Sequence, residues 1–327
     1  MRSPAVRFTW IVGILLAAAG CDDPARITGV DSVRSGTSAD RIAEVNAVEG
    51  TVYQLEDFAL YMPAAAEGPR AVLVALGGPN TRAFVTGEPF GAPLPPVEAA
   101  LQAMGQSLRD LADEHHFAIL GTSRAALPSG AESDQIILDA IEAGAEASGR
   151  AGLPSAPLLL YAISGGAPEA SGFVVRNPER VAGLLFKVPL TVPSFTTATQ
   201  LRIPTMMILA EFDAFVNNTE LAQSFADNRG RGGLWALALE PGVPHHALSP
   251  NHRDATLEWI GAIMNLGVAG ASGNLRTMAE QSGWLGNPST GDVTPWGGYT
   301  GDRSRANWFP TRSAAERWQS LIGAGAP

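Results

Sequence analysis

Pro157-Leu158-Leu159-Leu160-Tyr161-Ala162-Ile163-Ser164-Gly165-Gly166-Ala167 is an apolar run that ends on a serine among small residues. An unbroken apolar run of this length suits a strand buried on both faces, as in a parallel sheet. A helix is expected from Pro168 to Arg176, ending near Pro178, since proline disfavours helix in the residue before it. Ser164 would then sit on a sharp turn between strand and helix. A serine hydroxyl is a poor nucleophile at neutral pH and works when it is exposed and held beside a base. Small residues two positions to either side let the strand and helix backbones approach. Ala162 and Gly166 fill those places, giving A-x-S-x-G where the usual string is G-x-S-x-G. The partial positive charge at a helix N-terminus would favour an anion forming there.

The pattern repeats outward from this segment. Ala71 to Leu76 is a second apolar run, closed by Gly77-Gly78. Val97, Leu101, Met104, Leu108 and Leu111 follow at helical spacing, then a short strand from Phe117 to Leu120. Ile136, Ile137, Ala140 and Ile141 mark another helix. Strands are expected at Val181 to Val188, Thr205 to Ala210 and Leu234 to Leu239. Asn217 or Asn218 can cap a helix holding Leu221 and Phe225, and Ser249-Pro250 is a strong helix start before Leu257, Ile260 and Met264. Strands alternating with helices define an α/β class, with a mostly parallel central sheet covered by helices on both faces. This body spans residues 41–266. From about Gly267 the composition shifts to Gly, Ser, Thr and Trp, and 267–327 reads as an irregular C-terminal extension packed on the body. Phe90, Phe195, Phe215 and the tryptophans 284, 296, 308 and 318 are candidate pocket walls.

The Ser164 segment in this setting resembles the α/β-hydrolase family over about residues 50 to 265. The resemblance implies a nucleophile, an acid and a base in that chain order. It assigns the acid to Asp213, with Glu211 behind it, in the loop after Thr205 to Ala210. It assigns the base to His245 in Gly242-Val243-Pro244-His245-His246, with the adjacent His246 as the fallback. It also implies an oxyanion hole from the Gly165 amide and a partner after Leu76. Pro79 has no N–H, which leaves Gly78 or Asn80. The implied reaction is hydrolysis of a small-molecule or polymeric ester through an acyl-enzyme, with no cofactor and no metal. Amide cleavage on the same residues, or ligand binding without catalysis, are the competing readings. Members with a large helical lid insert it between the strands ending near Val188 and starting at Thr205. About fifteen residues lie there, too few for such a lid. His115, His116 and His252 read as structural or solvated, and no spaced His, Cys or carboxylate motif points to a metal.

The N-terminus carries its own signal. Arg2 and Arg7 precede an apolar run from Phe8 to Ala19, too short for a comfortable membrane span and suited to a signal peptide over residues 1–20. The segment ends Ala18-Ala19-Gly20-Cys21, similar to a bacterial lipobox with Ala18 where Leu is usual. Cys21 is the one cysteine among 327 residues and is the expected lipidation site. Residues 21–40 are polar and read as a flexible tether reaching at most roughly 65 Å. The expectation is an exported lipoprotein of the bacterial cell envelope, held to the membrane by that lipid. A formal charge of −10 with no Lys/Arg stripe argues against nucleic acid as a partner.

Overall fold

The computed structural model describes residues 44–46, 50–64, 68–77, 80–92, 94–123, 127–269 and 274–323. The expected signal peptide, Cys21, the tether and Gly78 lie outside them.

Nine strands form one sheet. They are β1 (Glu44–Asn46), β2 (Gly50–Leu55), β3 (Phe58–Pro63), β4 (Val72–Leu76), β5 (Ala118–Thr122), β6 (Leu158–Ile163), β7 (Val181–Lys187), β8 (Thr205–Ala210) and β9 (Trp235–Glu240). Their order is β1-β2-β3-β5-β4-β6-β7-β8-β9. From β5 to β9 every pairing is parallel, while β1, β2 and β3 are antiparallel to their neighbours. This is the α/β-hydrolase fold expected from the sequence. The β2–β3 hairpin was not legible there.

The helices are α1 (Arg82–Thr86), α2 (Pro95–His115), α3 (Ala131–Ser148), α4 (Ala167–Arg176), α5 (Ala198–Leu201), α6 (Asn218–Gly230) and α7 (Pro250–Leu266). Alternate residues of the strands β2 to β9 feed two cores. Leu73, Tyr161, Leu185 and Ile208 pack with α1, α2 and α7. Val74, Leu160, Phe186 and Met207 pack with α3, α4 and α6. Strands β4, β6 and β8 are buried at every residue, which is why they read as apolar runs rather than alternating ones. The caps are as expected: Asn217 accepts from Thr219 N and Glu220 N, and Ser249 from His252 N. Between β7 and β8 the one helix is the four-residue α5, so no large lid is inserted there.

The C-terminal extension is mostly loop, with β10 (Val268–Ala269), β11 (Asn274–Leu275), β12 (Trp284–Gly286), β13 (Val293–Pro295), β14 (Asn307–Phe309) and α8 (Arg312–Leu321). It covers the free edge of β9. Asn307 Oδ1 accepts from Leu237 N at 2.6 Å and Trp318 Nε1 donates to Leu237 O at 2.8 Å. These side chains satisfy edge groups that would otherwise invite strand pairing with another chain. Fully buried Arg229 ties the extension to α6. It donates to Ala306 O (2.7 Å), Arg303 O (2.8 Å), Gly233 O (2.9 Å) and Glu280 Oε1 (2.7 Å).

Candidate active site

The order β5-β4-β6 places the chain's reversal between β4 and β6, and ligands bind beyond the C-terminal strand ends at such a point. Ser164 follows β6 there. Its φ is +50°, a left-handed conformation uncommon in residues other than glycine. It thereby leaves the strand direction abruptly and enters a single 3₁₀ turn, Ser164–Gly166, that runs into α4. Val188, the residue after β7, is also left-handed at φ +43°. A β-branched residue is strained there, so two neighbouring strands both end in forced turns, together worth on the order of a few kcal/mol.

Glycine is required at two places by close approach. A Cβ on Gly77 (φ +72°) would lie 2.0 Å from Gly166 N, and one on Gly166 would lie 2.3 Å from Leu76 O. The end of β4 is thus pressed against the turn that carries Ser164. The physical demand on Gly166 comes from β4 as well as from the helix behind it. This contact brings Gly77 beside the Gly166 amide, one residue past Gly165. Asn80 Oδ1 is buried with no hydrogen-bond partner among the described residues.

The loops after β8 and β9 supply the other groups. His245 Nε2 lies 2.9 Å from Ser164 Oγ, and its Nδ1 lies 2.6 Å from Asp213 Oδ2. An ionised carboxylate can accept but not donate, so Nδ1 carries the proton and Nε2 is left to accept from the serine. The Asp213 side chain is buried, and its Oδ1 accepts from Phe215 N (2.8 Å) and Val216 N (3.2 Å). Glu211 is not near the imidazole; it accepts from Gly242 N at 2.7 Å and braces the histidine loop. A second brace runs from Phe212 N to Val243 O at 3.0 Å. His246 packs edge-on to the His245 ring, centroids 4.9 Å apart, and is not interposed between serine and acid. Burial lowers the His245 pKa below the ordinary histidine value. The Asp213 hydrogen bond and charge work against this, while Lys187 and His246 add to it.

The rim of the site is apolar. Phe215 packs at a tilt against the His245 ring, centroids 5.0 Å apart, and is 66 % exposed, and Phe212 is 64 % exposed. Leu190, 49 % exposed, sits by the nucleophile: its N–H donates to Ser164 O at 3.2 Å. Of the other aromatics expected as pocket walls, Phe90 packs on Phe84 and Phe195 on Trp235, in the core. Trp308 and Trp318 are buried in the extension, and Trp284 and Trp296 stack with Arg312 and Arg303. Fully buried His252 faces Glu240 at 3.4 Å, a structural place as expected.

One group went unnoticed in the sequence. Lys187, at the end of β7, is 5 % exposed and donates from Nζ to His245 O at 3.0 Å. A lysine in a strand buried on both faces was its signal. Among the described residues no group of three or more His, Cys, Asp or Glu is placed to hold a metal ion, and no helix is long and apolar enough to cross a membrane.

The sequence matches no protein-family model, and no curated protein matches it. Solved structures do. An S-formylglutathione hydrolase from Agrobacterium tumefaciens is 16 % identical, with 68 % of this chain and 99 % of that one covered and a TM-score of 0.45. A Pyrococcus furiosus esterase is 12 % identical, covering 72 % and 95 %, with a TM-score of 0.43. Candida antarctica lipase A in its closed state is 12 % identical, covering 83 % of each chain, with a TM-score of 0.46.

Proposed function

We propose that this protein is a serine hydrolase that cleaves carboxylic esters through an acyl-enzyme on Ser164. The observation that carries the reading is the unbroken relay Ser164–His245–Asp213, with 2.9 Å and 2.6 Å contacts. His245 takes the Ser164 proton as Oγ attacks the ester carbonyl. Asp213 stays ionised, holds the tautomer and stabilises the imidazolium. The Gly165 amide, with Gly78 or Asn80, bonds the oxyanion, each donor contributing roughly 3 kcal/mol. His245 then returns the proton to the leaving alkoxide. Water, deprotonated by the same imidazole, releases the acid.

The exposed rim of Phe215, Phe212 and Leu190 favours esters with an apolar portion, small or polymeric, reaching the site without a large lid. The N-terminal sequence supports a reading of export and lipid attachment at Cys21, and with it residence at the bacterial cell envelope. Mass spectrometry of the membrane fraction tests that placement, since Cys21→Ser should leave the protein without lipid.

Activity is tested with p-nitrophenyl esters of rising chain length beside p-nitroanilides. Ser164→Ala and His245→Ala should each lose at least ~10³-fold in kcat/KM on esters, and His246→Ala should lose less than ~10-fold. Turnover retained by His245→Ala and lost by His246→Ala would move the base to the neighbour. Faster anilide than ester cleavage would make the protein an amidase.

A further inference from the structure

Lys187 is a buried ammonium that the acyl-transfer scheme does not use. Its place is set by the sheet: Lys187 pairs in register with Ile163, the residue before the nucleophile, and with Ile208 in the strand that leads to the acid. Its side chain lies on the sheet face shared by Leu185 and Ile163, toward the core containing α7. An ammonium taken out of water needs compensation. Here one N–H goes to the carbonyl of His245. The charged and titratable groups around it are Glu240 at the end of β9, Asp213 after β8, His252 in the first turn of α7, and His245 itself.

The partner of that hydrogen bond is informative. A lysine serving the core alone could satisfy itself on any nearby carbonyl. This one holds the backbone of the residue whose ring must meet Ser164 and Asp213 together. The His245 loop is otherwise pinned at Gly242 and Val243. Lys187 fixes it at the working residue.

We propose that Lys187 is the positioning residue of His245: its hydrogen bond to the His245 carbonyl holds the ring in line, and its positive charge opposes protonation of the imidazole. This rests on the serine-hydrolase reading above. The two actions separate by variant. Lys187→Met removes both. Lys187→Arg keeps the charge and moves the donors. Burial also holds the Lys187 pKa down at about 8, although Glu240 and Asp213 oppose this, so the charge is fully present on the acid side where it matters.

The test has two readouts. First, the His245 ring is followed by ¹⁵N NMR across pH in Ser164→Ala protein, with and without Lys187→Met. Without the lysine the ring should take up its proton at a higher pH, because a repelling charge has gone. Second, kcat and KM are measured against pH with Ser164 intact. Lys187→Met should lose about 10-fold in plateau kcat with KM within about 2-fold, as expected for a misplaced base. At pH 5.5 its kcat/KM should fall about 3-fold further than at pH 8. Lys187→Arg should keep the wild-type acid limb and recover part of the plateau. Lys187→Gln reads the same electrostatic shift should the methionine variant not fold. An unmoved His245 titration, or a Lys187→Met plateau equal to wild type, overturns the proposal. Ester turnover surviving in Ser164→Ala would instead strike the hydrolase reading, and the NMR titration does not depend on turnover.

Discussion

Removing Lys187 should make the protein more stable at neutral pH, while making it a poorer catalyst. The lysine pKa is lowered from its ordinary 10.5 to about 8 in the fold, mainly by burial. A lowered lysine pKa means that the folded state disfavours the charge. That penalty is fully present below about pH 8 and is relieved as pH rises from there to 10.5. A difference of this size corresponds to about 3 kcal/mol at pH 7. Lys187→Met removes the penalty with a side chain of similar length, at a cost of about 1 kcal/mol for the orphaned His245 carbonyl. The net gain is about 2 kcal/mol, or a Tm rise of roughly 3 °C for a chain this long. Urea unfolding of wild type and variant at pH 7 and again at pH 10 measures it. The variant should lead at pH 7, and its lead should shrink markedly by pH 10. A variant less stable than wild type at pH 7, or a lead that does not change with pH, would refute the reasoning. Stability given up at a working site is a common trade in enzymes.

Four further outcomes follow from the same geometry. Asp213→Asn should lose about 10³- to 10⁴-fold in kcat with a modest change in KM, because an amide can donate to Nδ1 and so favours the wrong imidazole tautomer. The acid limb of kcat/KM should lie below pH 6.5, since burial lowers the His245 pKa and the base must be neutral to act; a limb above that value contradicts the site's electrostatics. Gly77→Ala should cost more than about 3 kcal/mol by urea titration or prevent folding, because both the positive φ and the 2.0 Å approach to Gly166 N oppose a side chain. Phe215→Ala should raise KM several-fold, about 1 kcal/mol, for long-chain or aromatic esters while leaving acetate esters nearly unchanged.

Much of the molecule was legible before its structure. The parallel strands announced themselves because both of their faces are buried, so Ala71 to Leu76 and Leu158 to Ile163 carry no polar interruption. Ser164 and Asp213 each follow such a strand, His245 follows the edge strand β9, exposed at Leu239, and chain order on one sheet edge brought them together. The β2–β3 hairpin was missed because its two-residue turn is Glu56-Asp57, with Glu56 itself at φ +47°, and not the Asn-Gly or Asp-Gly that marks a hairpin. The strands of the extension are two or three residues long, too short for any periodicity to show. There, indole and guanidinium hydrogen bonds to backbone carbonyls set the structure, and composition does not foretell such partners. Lys187 was absorbed into the run Val181 to Val188 because one charge among eight positions, the other seven uncharged, does not break a strand pattern.

The most direct measurement is intact-protein and peptide mass spectrometry after exposure to a fluorophosphonate. The account predicts one adduct per chain, mapped to Ser164, abolished in Ser164→Ala and slowed at least ~100-fold in His245→Ala. Labelling mapped to another residue, or a wild-type protein that stays unlabelled while folded, would contradict it.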